Sequence, residues 1–62
     1  MKKIILYVKN GKEYEVYKFE DLGEGQKAFT ERRKKKFDYL ELGIDDLDRE
    51  GGRYKIVRSI RL

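Results

Sequence analysis

Apolar and polar positions alternate in four stretches of the chain, and each alternation predicts a β-strand. Two of them, residues 2–9 and 13–19, lie at the beginning and are rich in Ile, Leu, Tyr and Val. The other two are residues 37–44 and 53–62. Period-two alternation is typical of strands with one buried face, so we expect four half-buried strands.

The first two predicted strands are separated by residues 10–12, Asn-Gly-Lys, and Asn-Gly between apolar runs is a strong hairpin signal. A two-residue Asn-Gly loop would pair Leu6 with Glu15. A three-residue loop gathers apolar side chains on one face, and we predict this loop. That face then carries Ile4, Leu6, Val8, Tyr14 and Val16. The opposite, open face carries Ile5, Tyr7 and Tyr17.

A helix is predicted from Asp21, a suitable N-cap, to about Lys36. With Phe29 taken as the inward direction, a step of 100° per residue places four residues on the same side. They are Leu22, Gly25, Gln26 and Arg33. Because glycine weakens a helix, Gly25 on this side is expected to let the helix lie close to the sheet.

The order of elements predicts an α+β fold of type ββαββ, a single small domain over residues 1–62. A four-stranded sheet would carry the helix across one face, arranged either as a β-grasp, with the first and last strands parallel, or wholly antiparallel. In the third strand, Leu40, Leu42 and Ile44 are expected to face the core, and Tyr39 and Glu41 to face away. The last strand is expected to place its apolar residues on one face beside Arg58, and these are Tyr54, Ile56, Ile60 and Leu62.

Charged residues make up 45% of the chain, whereas Asn, Gln, Thr and Ser occur once each. Enrichment in Lys and Glu at the expense of neutral polar residues is typical of hyperthermophile proteins. The absence of Pro, His, Cys and Trp would also suit a designed sequence without a biological function. Both origins stay open at this point.

The chain contains neither cysteine nor histidine, so it lacks thiolate ligands, disulfides and the usual general base near neutral pH. Its carboxylates show no spacing that pairs them with a nucleophile, and we predict a protein without catalytic activity, cofactor or metal. No apolar run reaches the roughly 20 residues of a membrane span. The N-terminal residues are interpreted as a strand and not a signal peptide, so we expect a cytoplasmic protein that has no membrane partner.

Two stretches resemble functional motifs but lack the necessary context. Residues 23–28 match the dinucleotide pattern G-x-G-x-x-A, but the chain is too short for the parallel βαβ crevice, and nearby acids would repel a pyrophosphate. Residues 46–51 match the first half of a calcium loop, yet Val57 occupies the position of the closing glutamate, and Arg49 adds a positive charge. We interpret the two stretches as a helix start and an acidic hairpin loop.

Charge is divided into blocks: residues 27–36 sum to +5 and residues 37–50 to −5. Five consecutive basic residues occupy positions 32–36, and on a helix they cannot share one face. We expect Arg33 and Lys36 to lay their aliphatic stems along the sheet. Lys27, Lys34 and Lys35 are expected to point outward, which is also what an ordinary solvated helix face would show.

A basic helix of this kind favours contact with nucleic-acid phosphates. The predicted contacts are Lys27, Arg32, Arg33, Lys34, Lys35 and Lys36, with Arg53, Lys55, Arg58 and Arg61 as further candidates. Tyrosines on the open sheet face would stack on bases or meet a protein partner. The predicted residues of that face are Tyr7, Tyr17 and Tyr39.

In size and in its content of Lys, Ile and Tyr, the chain resembles very short proteins encoded by viruses of bacteria and archaea. Some of those proteins inhibit host defence machinery by binding to it. The resemblance involves no motif, and it implies one alternative function: a protein-interaction module, or a dimerising domain, that works through the tyrosine face or an unpaired sheet edge.

Overall fold

The computed structural model of the chain describes residues 3–46 and 50–62. Its elements are β1 (Lys3–Asn10), β2 (Glu13–Phe19), α1 (Leu22–Arg32), β3 (Tyr39–Asp45) and β4 (Tyr54–Arg61). The predicted ββαββ order is therefore confirmed, and the strand boundaries lie within two residues of the predicted ones. The helix, in contrast, ends four residues before Lys36.

The four strands form one sheet in the order β2-β1-β3-β4, and every neighbouring pair is antiparallel. Strands β2 and β3 consequently run in the same direction with β1 between them, and α1 supplies the crossover that such a connection requires. Of the two predicted arrangements, the chain adopts the antiparallel one. The β-grasp pairing of first and last strands does not form, because β3 occupies the position beside β1 that β4 would need.

The core lies between the helix and one face of the sheet. The buried apolar side chains are Ile4, Leu6, Val8, Phe29, Phe37, Leu40 and Leu42. The inward faces predicted for β1 and β3 are thus confirmed. Phe37 comes from the segment between α1 and β3 and not from a strand, so this short connection is fastened to the core by a buried ring.

The helix begins where predicted, because the carboxylate of Asp21 accepts a hydrogen bond of 3.0 Å from the N–H of Gly23. One turn later, Gly25 is buried against the sheet. A Cβ atom there would collide with Cγ2 of Ile4 and lie 3.1 Å from Cδ1 of Leu42. Gly25 therefore permits the close helix–sheet approach that we expected, whereas Gln26 is exposed, and its predicted inward position is wrong.

The β1–β2 hairpin has a different loop from the predicted one. Asn10 pairs with Glu13, so the loop is Gly11-Lys12. The positive φ of +64° at Gly11, followed by an ordinary φ at Lys12, is the pattern of a type II′ turn. Leu6 now pairs with Tyr17, so the three-residue register is wrong. The helix-covered face of β2 carries Glu15, Tyr17 and Phe19, and the open face carries Tyr14, Val16 and Lys18.

The last strand contains an irregularity that moves part of it to the other face. Leu42 pairs with Arg58 but Gly43 pairs with Ile56, so the register shifts by one residue. Ile60 and Arg58 lie on the helix-covered face, whereas Ile56 and Tyr54 lie on the open face. The prediction of one apolar face along the whole of β4 is wrong for this reason.

Candidate nucleic-acid interface

The open face of the sheet carries a row of aromatic and basic side chains that crosses all four strands. Lys9 of β1 pairs with Tyr14 on one side and with Tyr39 on the other. Tyr39 in turn pairs with Arg61 of β4. Residues that are directly paired on one face lie about 5 Å apart, so the row Tyr14–Lys9–Tyr39–Arg61 is continuous.

A third ring, that of Tyr7, lies beside this row and connects its two tyrosines. The Tyr7 ring centroid is 6.3 Å from that of Tyr14 and 6.2 Å from that of Tyr39, and the ring planes are tilted by 31° and 58°. The guanidinium carbon of Arg61 lies 5.1 Å from the Tyr39 centroid, within the range of a cation–π contact. Three rings and a stacked cation thus form one surface.

A shallow groove of about 470 Å³ runs along this surface at the end of the sheet. Its lining residues are Tyr7, Lys9, Gly11, Asp38, Tyr39, Arg61 and Leu62. Two of them are basic and one is acidic. The groove is open to solvent and has aromatic walls, so it suits a flat, anionic ligand better than a small buried one.

Asp38 is engaged in the fold at the end of the groove. Its carboxylate accepts a hydrogen bond from the N–H of Gly11. Its own N–H donates to the carbonyl of Lys9 at 2.7 Å, and its carbonyl accepts from Leu62 N–H at 3.0 Å. Asp38 therefore holds the hairpin turn, the start of β3 and the C-terminal residue together, and its negative charge is directed toward the turn.

Glu41 fixes two tyrosines on the same face. It accepts hydrogen bonds from the hydroxyl groups of Tyr39 and Tyr54. The bond to Glu41 raises the pKa of Tyr39 above its usual value, and burial together with the same carboxylate raises the pKa of Tyr54. The Tyr39 ring is thus held in place by the hydrogen bond of its own hydroxyl.

The basic segment differs from the prediction at Arg32, Arg33 and Lys36. Arg32 is the residue that lies against the protein: its side chain is 15% exposed, and its Nε lies 3.6 Å from Glu15 Oε2. Its Nη1 also donates to the carbonyl of Lys36 at 3.1 Å. Arg33 is the C-cap of the helix and Lys36 lies beyond it, and both side chains are exposed. The expectation that these two cover the core is wrong.

The remaining cations of this segment are exposed. Lys34 and Lys35 lie outside the helix, and Lys27 lies on its solvent side, as predicted. Lys34 Nζ is 3.5 Å from Glu31 Oε1, an exposed pair of little energetic weight. Because Asp38 contacts the hairpin turn, the segment 33–36 leads from the helix layer to the same end of the sheet as the groove.

Tyr17 lies on the opposite side of the sheet from the other two predicted tyrosines. Its pairing with buried Leu6 places it on the helix-covered face, and its hydroxyl donates to Glu15 Oε1 at 3.0 Å. That hydrogen bond raises the pKa of Tyr17 above its usual value. The assignment of Tyr17 to the open face is wrong, and Tyr14, which is 70% exposed, occupies that face instead. The sequence signal for this register was Gly11, because a type II′ turn takes glycine at its first central position, and a Gly11-Lys12 turn places Tyr14 on the open face.

The four basic residues near the C-terminus do not form one group. Arg61 lies in the groove, but the guanidinium carbon of Arg58 lies 4.7 Å from the ring centroid of Phe29 on the helix-covered face. Arg53 and Lys55 lie at the other end of β4. Only Arg61 of this set therefore adjoins the tyrosines, within the part of the chain that the structure describes.

Comparison with protein-family models, with curated proteins and with solved structures found no match. In residues 3–46 and 50–62, no helix is long and apolar enough to cross a membrane. The same residues contain no cluster of three or more acidic side chains that could hold a metal ion. The calcium-like stretch includes residues 47–49, which lie outside the described residues.

Proposed function

We propose that this protein binds single-stranded nucleic acid on the open face of its sheet. The observation that carries the proposal is the row Tyr14–Lys9–Tyr39–Arg61, in which rings and cations alternate across four strands. Bases would stack on the rings, and phosphates would meet the cations between them. A binding surface of this composition is typical of proteins that bind single strands with little sequence preference.

The exposed basic segment extends this surface at one end. Arg33, Lys34, Lys35 and Lys36 are exposed at the same end of the sheet as the groove but in the helix layer, and Lys12 is exposed in the hairpin turn. Phosphates that leave the groove in this direction would meet further cations, so part of the affinity would come from counterion release and fall with salt. We include a cytoplasmic location in the proposal, because nucleic acid is accessible to a protein there.

A duplex is the less suitable ligand for this face. Stacking on a tyrosine requires an exposed base plane, which a paired strand presents only at its ends. We therefore expect single strands to be bound more tightly than a duplex of equal length, and the difference to depend on the rings and not on the cations.

The test compares two tyrosines of one strand that point to opposite faces. Binding of labelled oligouridine, oligothymidine and a duplex is measured by fluorescence anisotropy at about 50 and 200 mM salt. Tyr14→Ala removes an exposed ring and should weaken single-strand binding roughly 5- to 150-fold, since stacking contributes about 1–3 kcal/mol per base. Tyr17→Ala is the matched control and should leave the affinity unchanged.

Two results would overturn the proposal. One is the absence of single-strand binding at the lower salt concentration, where electrostatic contacts are strongest. The other is an equal loss of affinity in Tyr14→Ala and Tyr17→Ala, because only the first of these rings lies on the open face. Circular dichroism of both variants would verify that the sheet is intact.

A further inference from the structure

Strand β2 is an edge strand that has neither a bulge nor a proline, and its outer side pairs with no other strand among the described residues. It forms one border of the sheet, it is seven residues long, and it is exposed throughout except at half-buried Phe19. The opposite edge, β4, carries the register shift described above. Natural sheets protect their edges with bulges, prolines, covering segments or charged side chains. Of these, β2 has only the charges of Glu13, Glu15 and Lys18, which a second strand can accommodate where each charge lies opposite a neutral residue.

The hydrogen-bonding pattern of the hairpin determines which β2 groups point outward. Asn10 and Glu13 close a two-residue loop and therefore exchange both backbone hydrogen bonds. Bonded and non-bonded pairs alternate along an antiparallel ladder, so Glu13, Glu15, Tyr17 and Phe19 bond to β1. The N–H and C=O groups of Tyr14, Val16 and Lys18 point away from β1, and among the described residues they face no other strand.

These outward groups are self-complementary about Val16. In an antiparallel pair of two β2 strands with Val16 opposite Val16 of a second copy, Tyr14 lies opposite Lys18, and each outward N–H meets an outward carbonyl. Glu15 lies opposite Tyr17, whose hydroxyl already donates to a glutamate within its own strand. Every charged residue thus lies opposite a neutral one.

Other symmetric registers are less favourable. Sliding the second strand by two residues toward the hairpin turn puts Glu15 opposite Glu15, and directly opposed like charges destabilise a sheet. Sliding it the other way removes Glu13 and Tyr14 from the overlap and shortens the ladder. The register centred on Val16 is the one that uses the full length of β2 without opposing like charges.

We propose that the protein forms a homodimer in which two β2 strands pair antiparallel about Val16 and produce a continuous eight-stranded sheet. The two-fold axis is perpendicular to the sheet, because directly paired residues point to the same face. Both helices then lie on one side and both tyrosine rows on the other. This inference does not depend on the proposed nucleic-acid binding, since it follows from the exposure and pairing of β2 alone.

The oligomeric state is tested by sedimentation velocity over a range of concentrations. The unmodified chain should approach twice its mass of 7.5 kDa as its concentration rises. Val16→Lys places two ammonium groups against each other at the two-fold axis and should shift the protein to monomer, with partial recovery in high salt. Val16→Thr keeps a β-branched side chain and should dimerise like the unmodified chain.

The register is tested by oxidative cross-linking, because the chain contains no cysteine of its own. Val16→Cys should form an intermolecular disulfide, since paired Cα atoms lie about 5.5 Å apart and disulfides span about 4.4–6.8 Å. Tyr14→Cys alone should not form one. A mixture of the Tyr14→Cys and Lys18→Cys variants should form it.

A chain that remains monomeric even at about 1 mM would overturn the proposal. So would a dimer that Val16→Lys leaves intact, or a cross-linking yield that is the same for Val16→Cys and Tyr14→Cys. Circular dichroism of Val16→Lys would show whether its monomer is folded. If the monomer were unfolded, the cross-linking result would decide, because Val16→Cys is a small apolar change at a position that is 51% exposed.

Discussion

Gly25 sets the distance between the helix and the sheet. The position that its side chain would occupy is filled by Ile4, and Leu42 limits any sideways movement. A glycine inside a helix is unfavourable, because it costs about 1 kcal/mol relative to alanine. Here close packing outweighs that loss, so helix propensity and tertiary packing make opposite demands on the same residue.

We predict that Gly25→Ala lowers the free energy of unfolding by about 1–2 kcal/mol. Overpacking of a filled core costs about 1–3 kcal/mol, and the better helix propensity of alanine offsets part of it. Urea unfolding followed by circular dichroism measures the change. Gly23→Ala is the matched control, because its Cβ would lie 3.6 Å from the nearest Asp21 oxygen, an ordinary contact.

Gly23→Ala should therefore be neutral or slightly stabilising. If the two alanine variants were equally stable, the close approach of the helix at Gly25 would be refuted. The role of Gly25 was predictable from the sequence because it lay on the same helical side as Phe29. The neighbouring Gln26 lay on that side by the same count of 100° per residue, yet it is exposed. The position around the helix therefore did not by itself distinguish buried from exposed residues.

The two ends of the helix were unequally predictable. Asp21 begins it through a local hydrogen bond, which the residue types reveal. Its end depends on tertiary contacts: Phe37 is buried in the core, and Arg32 lies against Glu15 of β2. Lys and Arg are good helix formers, so residues 33–36 give no local signal to stop.

The register of β2 was not predictable from its apolar pattern for a related reason. The helix packs on β1, β3 and the inner part of β2, and most β2 side chains are exposed whichever face they take. A hydrophobic pattern specifies register only where one face is buried. The turn determines the register instead, and in this register Tyr17 lies on the helix-covered face and Tyr14 on the open face.

We predict that Arg32 and Arg33, although adjacent, contribute differently to stability. Arg32→Ala removes the contact with Glu15 and the hydrogen bond to Lys36 that follows the helix, and should cost about 1 kcal/mol. Arg33→Ala alters an exposed side chain and should stay within about 0.5 kcal/mol of the unmodified chain. Urea midpoints of the two variants provide the measurement.

Equal midpoints for these two variants would show that Arg32 is only a surface charge. A larger effect of Arg33→Ala would instead support the prediction from helical spacing that Arg33 lies against the sheet. Either result would change the choice of residues for binding studies. As the structure stands, Arg32 belongs to the scaffold, and Arg33 to Lys36 can be neutralised without disturbing it.

At the scale of the whole molecule, the two ends of the sheet differ in charge: one end is mainly basic and the other is more acidic. The end with the hairpin turn and the groove is rich in exposed bases: Lys9, Lys12, Arg33, Lys34, Lys35, Lys36 and Arg61. Acids are more frequent at the opposite end, where Glu20, Asp21, Glu24, Asp45, Asp46 and Glu50 lie. Folding therefore brings the basic blocks of the sequence to one end of the sheet and many of the acidic residues to the other. The sequence alone did not predict this separation, because the strand order was undetermined.

This polarity predicts that cations of the two ends contribute unequally to nucleic-acid binding. Arg61→Gln should weaken binding and reduce the slope of log affinity against log salt by about 0.7, the value for one phosphate contact of a single strand. Lys55→Gln removes an equal charge from the same strand at the other end and should leave the slope unchanged. Anisotropy titrations at four salt concentrations measure both slopes. Equal slopes for the two variants would mean that binding responds to net charge alone, and the groove would then not be the binding site.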